Sequence, residues 1–174
     1  MSLMIDKLFA YGTLMRGFGL TRELAVEADI QYLGRGRFAG RLYDLGPYPA
    51  AIEDPSGPYT VWGDVFHLLD PERVLRILDE FEGCDPTMPL SSLYRRCPVD
   101  VQFEDGSPVR AWAYLYARPD HLRNDPGAVL IPSGDYRQYV RARGTLRVRG
   151  EGPSGARGSP KAGGEVKSPR SQHG

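Results

Sequence analysis

The stretch TVWGDVFHLLDPERVLRILDEFEG, residues 60–83, decides how the chain is organised. Its first ten residues alternate large apolar side chains with smaller or polar ones, the pattern of a strand with a buried face. Asp70-Pro71 then supplies an N-cap and a first-turn proline, and Gly83 supplies a stop, so the spacing predicts a helix over Pro71 to Glu82. On a wheel turning about 100° per residue, Val74, Leu75, Ile77, Leu78 and Phe81 form one apolar stripe. Glu82 falls inside that stripe, between Leu78 and Leu75, whereas Arg73, Arg76 and Glu80 lie on the far side. Glu82 is thus the one carboxylate that projects into the core face, and it does so where the helix dipole presents its negative end. Burial and the dipole both oppose ionisation, so its pKa is expected to rise toward neutrality. A carboxyl so poised can take a proton and return it. The helix alone is also compatible with a frayed last turn whose Glu82 simply reaches water.

Working outward, Lys7 to Tyr11 (KLFAY) is a compact apolar run that stops at Gly12, as a buried strand does on delivering its end into a loop. The loop Tyr11-Gly12-Thr13-Leu14-Met15-Arg16-Gly17 can leave backbone N–H groups unpaired, a cradle for a carboxylate or an oxyanion. Its glycine spacing fits neither the phosphate loop nor the dinucleotide fingerprint, and two ordinary turn glycines would look the same. A short helix is expected over Thr21 to Ala28, and strongly bent strands over Gln31 to Leu45. Pro47 and Pro49 predict an extended turn around Tyr48. Arg95 to Phe103 and Val109 to Ala117 read as a hairpin turning at Glu104 to Ser107, and Tyr136 to Arg143 as a short terminal helix. The expected fold is α+β, a curled mixed β-sheet or small barrel with flanking short helices.

With 174 residues, 41% of them hydrophobic, the chain has material for one core. We place the domain at residues 1–148, followed by a disordered basic Gly-, Ser- and Pro-rich tail at 149–174. The formal net charge of zero divides into a body near −3 and a tail near +3. A mildly acidic body lacks the basic face that nucleic acid needs, so nucleic acid is not an expected partner. No signal-peptide layout or membrane-spanning stretch is seen, which makes the cytoplasm the expected compartment. Cys84 and Cys97 match no zinc or redox spacing and are expected as reduced thiols. His67 sits within a strand pattern and reads as structural; with His121 in a loop and His173 in the tail, no metal site is expected. Oligomeric state is not legible.

Taken in order, YGTLMRG at Tyr11–Gly17, YPAAI at Tyr48–Ile52, LDEFEG at Leu78–Gly83 and the Tyr94-Arg95 pair resemble the γ-glutamylcyclotransferase-like superfamily. The arrangement is most similar to the γ-glutamylamine cyclotransferase branch and its small bacterial relatives, over roughly residues 5 to 118. The resemblance implies a pocket between the first loop and the glutamate-bearing helix. It also implies that backbone amides of Tyr11, Gly12, Thr13 and Leu14 hold a γ-glutamyl group, and that Glu82 is the acid/base. The implied reaction is internal: the substrate's α-amine attacks its own γ-carbonyl, releasing oxoproline and an amine or amino acid, with no metal or organic cofactor. Tyr48 and Tyr94 are candidate pocket residues beside them, Tyr94 as a possible hydrogen-bond donor to substrate. The link Cys84–Leu93 is longer than that branch leads one to expect and reads as a lid on the leaving-group side.

Two other functions fit the same residues. The domain could be a binding module that keeps the pocket without turnover, or an inert carrier for an interaction tail. Oxoproline release lost on Glu82→Gln separates the enzyme from both.

Overall fold

The computed structural model describes residues 4–85, 87 and 92–150, with side chains described as far as residue 144. Most of the expected tail, and residues 86 and 88–91 of the link read as a lid, lie outside the described residues. Five strands close into a barrel: β1 (Lys7–Ala10), β2 (Ile30–Asp44), β4 (Thr60–Leu68), β5 (Tyr94–Phe103) and β6 (Pro108–Tyr116). The order β2-β4-β1-β6-β5 returns to β2 through the pairs Gly36 with Phe103 and Arg37 with Gln102. Every pairing is antiparallel except β1 with β6. Beyond the barrel, β2 continues into a hairpin with β3 (Pro49–Glu53) and a short pairing with β7 (Val129–Leu130).

Alternation along the strands sorts the core. On β1, Phe9 points with Phe38, Val65, Val101 and Ala113 into one buried cluster fed by all five barrel strands. Its neighbours Leu8 and Ala10 join the opposite cluster, where Val74, Leu75 and Leu78 of helix α2 (Pro71–Phe81) pack against Phe66 and Leu68. Each such side chain contributes about 1.5–3 kcal/mol on burial, so α2 is fixed against the barrel's outer face. That docking decides where the residue after the helix must sit.

Three segments depart from the sequence reading. The helix expected over 21–28 is α1 (Leu20–Glu23) followed by a 3₁₀ turn (Glu27–Asp29), because Ala25 adopts a φ of 57° and breaks the helical path. The bent strands expected over 31–45 form one continuous strand with a register shift between Tyr32 and Gly34. The turn expected around Tyr48 ends at Pro49, where β3 begins; proline is tolerated as the first residue of a strand, which this is. Two later helices follow among the described residues: α3 (Pro119–Asn124), which the sequence reading did not contain, and α4 (Tyr136–Gly150), longer than expected.

Candidate active site

Glu82 is the C-cap of α2, and its backbone is locked rather than frayed. Its N–H donates to the Leu78 carbonyl at 2.8 Å, Gly83 donates to Glu80 at 3.2 Å, and Cys84 donates to Asp79 at 2.8 Å. This is the Schellman closure, and it requires the left-handed φ of 64° that Gly83 adopts without strain. The same turn is tied to the barrel through the Asp79 side chain. Arg96 donates to it through two nitrogens, at 2.9 and 3.3 Å, and the Tyr114 hydroxyl donates at 2.7 Å.

A cavity of about 630 Å³ opens over this helix end. Every residue predicted for the site lines it: Tyr11, Gly12, Thr13, Leu14, Tyr48, Glu82 and Tyr94. Tyr114, Phe18 and Glu23 line it too and escaped the sequence reading. Burial drives the Glu82 carboxyl from its ordinary 4.5 up to about 7. Its carboxyl forms no hydrogen bond among the described residues.

Three buried tyrosines surround that carboxyl, and each commits its own proton elsewhere. The Tyr11 hydroxyl donates to the Tyr114 carbonyl and accepts from the Ala51 N–H at 3.3 Å, tying β6 to β3. Tyr94 donates to the Pro49 carbonyl at 2.8 Å. Tyr114 serves Asp79, as above. Burial first, and then neighbouring acidic groups with Glu82 among them, raise the ionisation of all three above the ordinary phenol range, so they stay neutral. The Tyr94 ring meets Tyr48 edge-on, with centroids 6.0 Å apart. Tyr94 is therefore a wall whose hydroxyl is already engaged, not a free donor.

The first loop is shaped by contact. At Gly12 an added Cβ would lie 2.8 Å from Pro49 Cγ, so only glycine lets the loop close over β3. Met15 N–H returns to the Gly12 carbonyl at 3.0 Å. The amides of Gly12, Thr13 and Leu14 make no hydrogen bond among the described residues, which leaves three donors beside the pocket. The loop is held from behind by Asp64, whose Oδ2 accepts the Arg16 N–H at 2.8 Å.

His67 pairs with Asp6 at 3.1 Å, and Cys84 and Cys97 are free thiols. Among the described residues, no three His, Cys, Asp or Glu side chains gather as metal ligands, and no helix is long and apolar enough to cross a membrane.

A model of the γ-glutamyl cyclotransferase, AIG2-like family matches residues 8–138, a span that contains every wall of this pocket. The chain belongs to that family. Among its relatives is the γ-glutamylaminecyclotransferase of Bos taurus, 33% identical over 120 residues, which are 63% of this chain and 64% of the bovine protein. The match thus spans slightly less than two thirds of the bovine protein's length. A Vibrio cholerae protein provisionally named a γ-glutamylcyclotransferase is 33% identical over 140 residues, 76% of this chain and 96% of its own. An uncharacterized protein of Pyrococcus horikoshii shares the fold, with a TM-score of 0.55 at 22% identity over 82% of this chain and 98% of that one. Mixed α+β architecture with a closed five-strand barrel is therefore common to this chain and its structural neighbours.

Proposed function

We propose that the chain is a γ-glutamyl cyclotransferase that releases oxoproline and a free amine. The observation that carries this reading is Glu82, a carboxyl with a pKa near 7, set in a pocket beside three loop amides that make no hydrogen bond among the described residues. Ring closure moves two protons from the substrate's α-ammonium to its leaving nitrogen. Glu82 as carboxylate takes the first, which frees the amine to attack the γ-carbonyl carbon. The tetrahedral oxygen that forms is stabilised by the Gly12–Leu14 amides. As carboxylic acid, Glu82 protonates the leaving nitrogen, and the carbon–nitrogen bond breaks as the oxyanion re-forms the carbonyl. Glu82, again a carboxylate, takes the second proton from the ring nitrogen and passes it to the departing amine, which leaves as an ammonium. A pKa near neutrality lets the one carboxyl serve as base and then as acid at a single pH. The tyrosine walls hold the glutamyl chain folded, which makes the attack effectively unimolecular.

The lining also supports an amine over an amino acid as the leaving group. Among the described residues it carries Glu23 and Glu82 and no Lys, Arg or His, so a departing carboxylate meets no cation there. Residues 84–93 add none by sequence. The test is a panel of γ-glutamyl amines, γ-glutamyl amino acids and glutathione, assayed for oxoproline with wild type and Glu82→Gln. Turnover of the amines that disappears in a folded Glu82→Gln variant is expected. Saturable binding without product from any of them would make the chain a binding module instead.

A further inference from the structure

The first two turns of α4 reach both loops that flank Glu82. Tyr136 stacks on Phe18 of the pocket wall, with centroids 5.8 Å apart and planes at 22°. Arg137 donates to the Arg16 carbonyl at 2.8 Å and to Asp64 Oδ2 at 2.9 Å. Asp64 Oδ2 in turn accepts the Arg16 N–H, so carboxylate and guanidinium grip the N–H and the C=O of one residue in the first loop. One turn on, the Tyr139 hydroxyl and Arg143 each donate to Asp44 Oδ2 at 2.6 Å. The other oxygen of Asp44 accepts the Gly46 N–H at 2.7 Å, which shapes the turn that presents Tyr48. The family match ends at residue 138, so Tyr139 and Arg143 lie past it.

Asp64 is 1% exposed, and its Oδ1 makes no hydrogen bond among the described residues. A buried carboxylate with an orphaned oxygen carries a desolvation cost that an apolar residue would remove. Core stability therefore gives no reason for it. Its charge does what an apolar residue cannot: it pairs with Arg137 and, with it, fixes the main chain at Arg16.

We propose that α4 is a positioning element for the pocket, in which Arg137 with Asp64 sets the Tyr11–Gly17 loop and Tyr139 with Arg143 sets the 44–48 turn through Asp44. One helix outside the barrel thereby holds the two binding segments in register with Glu82. Neither Arg137, Tyr139 nor Arg143 lines the cavity, so each acts through the backbone it holds.

The test uses the full chain carrying Arg137→Ala, Arg137→Lys or the Tyr139→Phe/Arg143→Ala pair. Arg110→Ala, which breaks an exposed pair with Asp100 on the β5–β6 hairpin, is the control. Amide exchange should accelerate about tenfold at the hydrogen-bonded amides of Met15 and Arg16 in Arg137→Ala and of Leu45 and Gly46 in the double variant, with β5 and β6 unchanged. The kinetic arm rests on the proposed cyclotransferase activity. There KM should rise about tenfold with kcat little changed, and Arg137→Lys should recover part of the loss. Exchange and KM that stay at wild-type values in both Arg137→Ala and the double variant would overturn the proposal. So would exchange that accelerates uniformly through the sheet, the mark of a merely stabilising helix. Exchange rates decide the point whether or not the wild type turns over, so failure of the reaction and failure of the positioning role are read separately.

Discussion

The Tyr94 hydroxyl donates to the Pro49 main-chain carbonyl at 2.8 Å, joining the start of β5 to the start of β3 across the pocket wall. This bond holds two faces of the cavity together while leaving the ring to pack. Tyr94→Phe keeps the ring and deletes the bond. It should cost about 1 kcal/mol of stability, read by urea denaturation, and lower kcat/KM less than about tenfold. A loss as large as that of Glu82→Gln would mean that the phenol itself takes part in the chemistry.

On the proposed reaction, Glu82 makes folding and catalysis pull in opposite directions with pH. Its folded pKa of about 7 lies above the ordinary 4.5, so between those values the native state binds more protons than the unfolded chain. Stability from this group is complete below 4.5 and falls as pH rises through 7, by on the order of 3 kcal/mol. Glu82→Gln should remove that slope and be more stable than wild type at pH 8, measured by denaturant titration across pH 4 to 8. The same variant should lose about 10³-fold in kcat. In wild type the acid limb of kcat/KM should bend near pH 7.

Gly12→Ala tests the close approach of the first loop to β3. The new Cβ meets Pro49 Cγ at 2.8 Å, so the loop must retreat by several tenths of an ångström. Displacement on that scale should cost 10- to 100-fold or so in kcat/KM, with a small change in thermal midpoint. Steady-state kinetics beside a melting curve separates the two effects.

Glu23 is exposed at the pocket mouth, so its influence on leaving-group choice is screened and modest. Glu23→Lys should shift the ratio of kcat/KM values toward γ-glutamyl amino acids and away from γ-glutamyl amines by roughly fivefold. An unchanged ratio would place the leaving group away from this residue.

Much of the fold was legible where one signal sufficed. The strand and helix of residues 60–83 and the 95–117 hairpin are recognisable because periodicity, caps and turn residues agree within each. β3 was missed because Pro49, Ala50, Ala51 and Ile52 are all buried, so the alternation that marks a strand is absent. The 21–28 helix was misread because nothing in its composition announces the left-handed Ala25. At the pocket, Glu82 was visible from the helical wheel, since its position depends on residues within three turns. Asp64, Asp79 and Tyr114 were not. Asp64 meets residues 48 and 73 positions away, and Tyr114 meets Asp79 across 35, relationships that only the barrel's closure creates.

That closure is narrow: β2 and β5 meet through two residue pairs, Gly36 with Phe103 and Arg37 with Gln102. These lie at the far end of β5 from Tyr94, a strand length of about 30 Å away. The adjoining turn, Glu104 to Ser107, is exposed apart from the part-buried Phe103 before it. Chain added at that turn for a dye, a bead or a fused partner would load the barrel's seam and leave the pocket at the opposite end undisturbed.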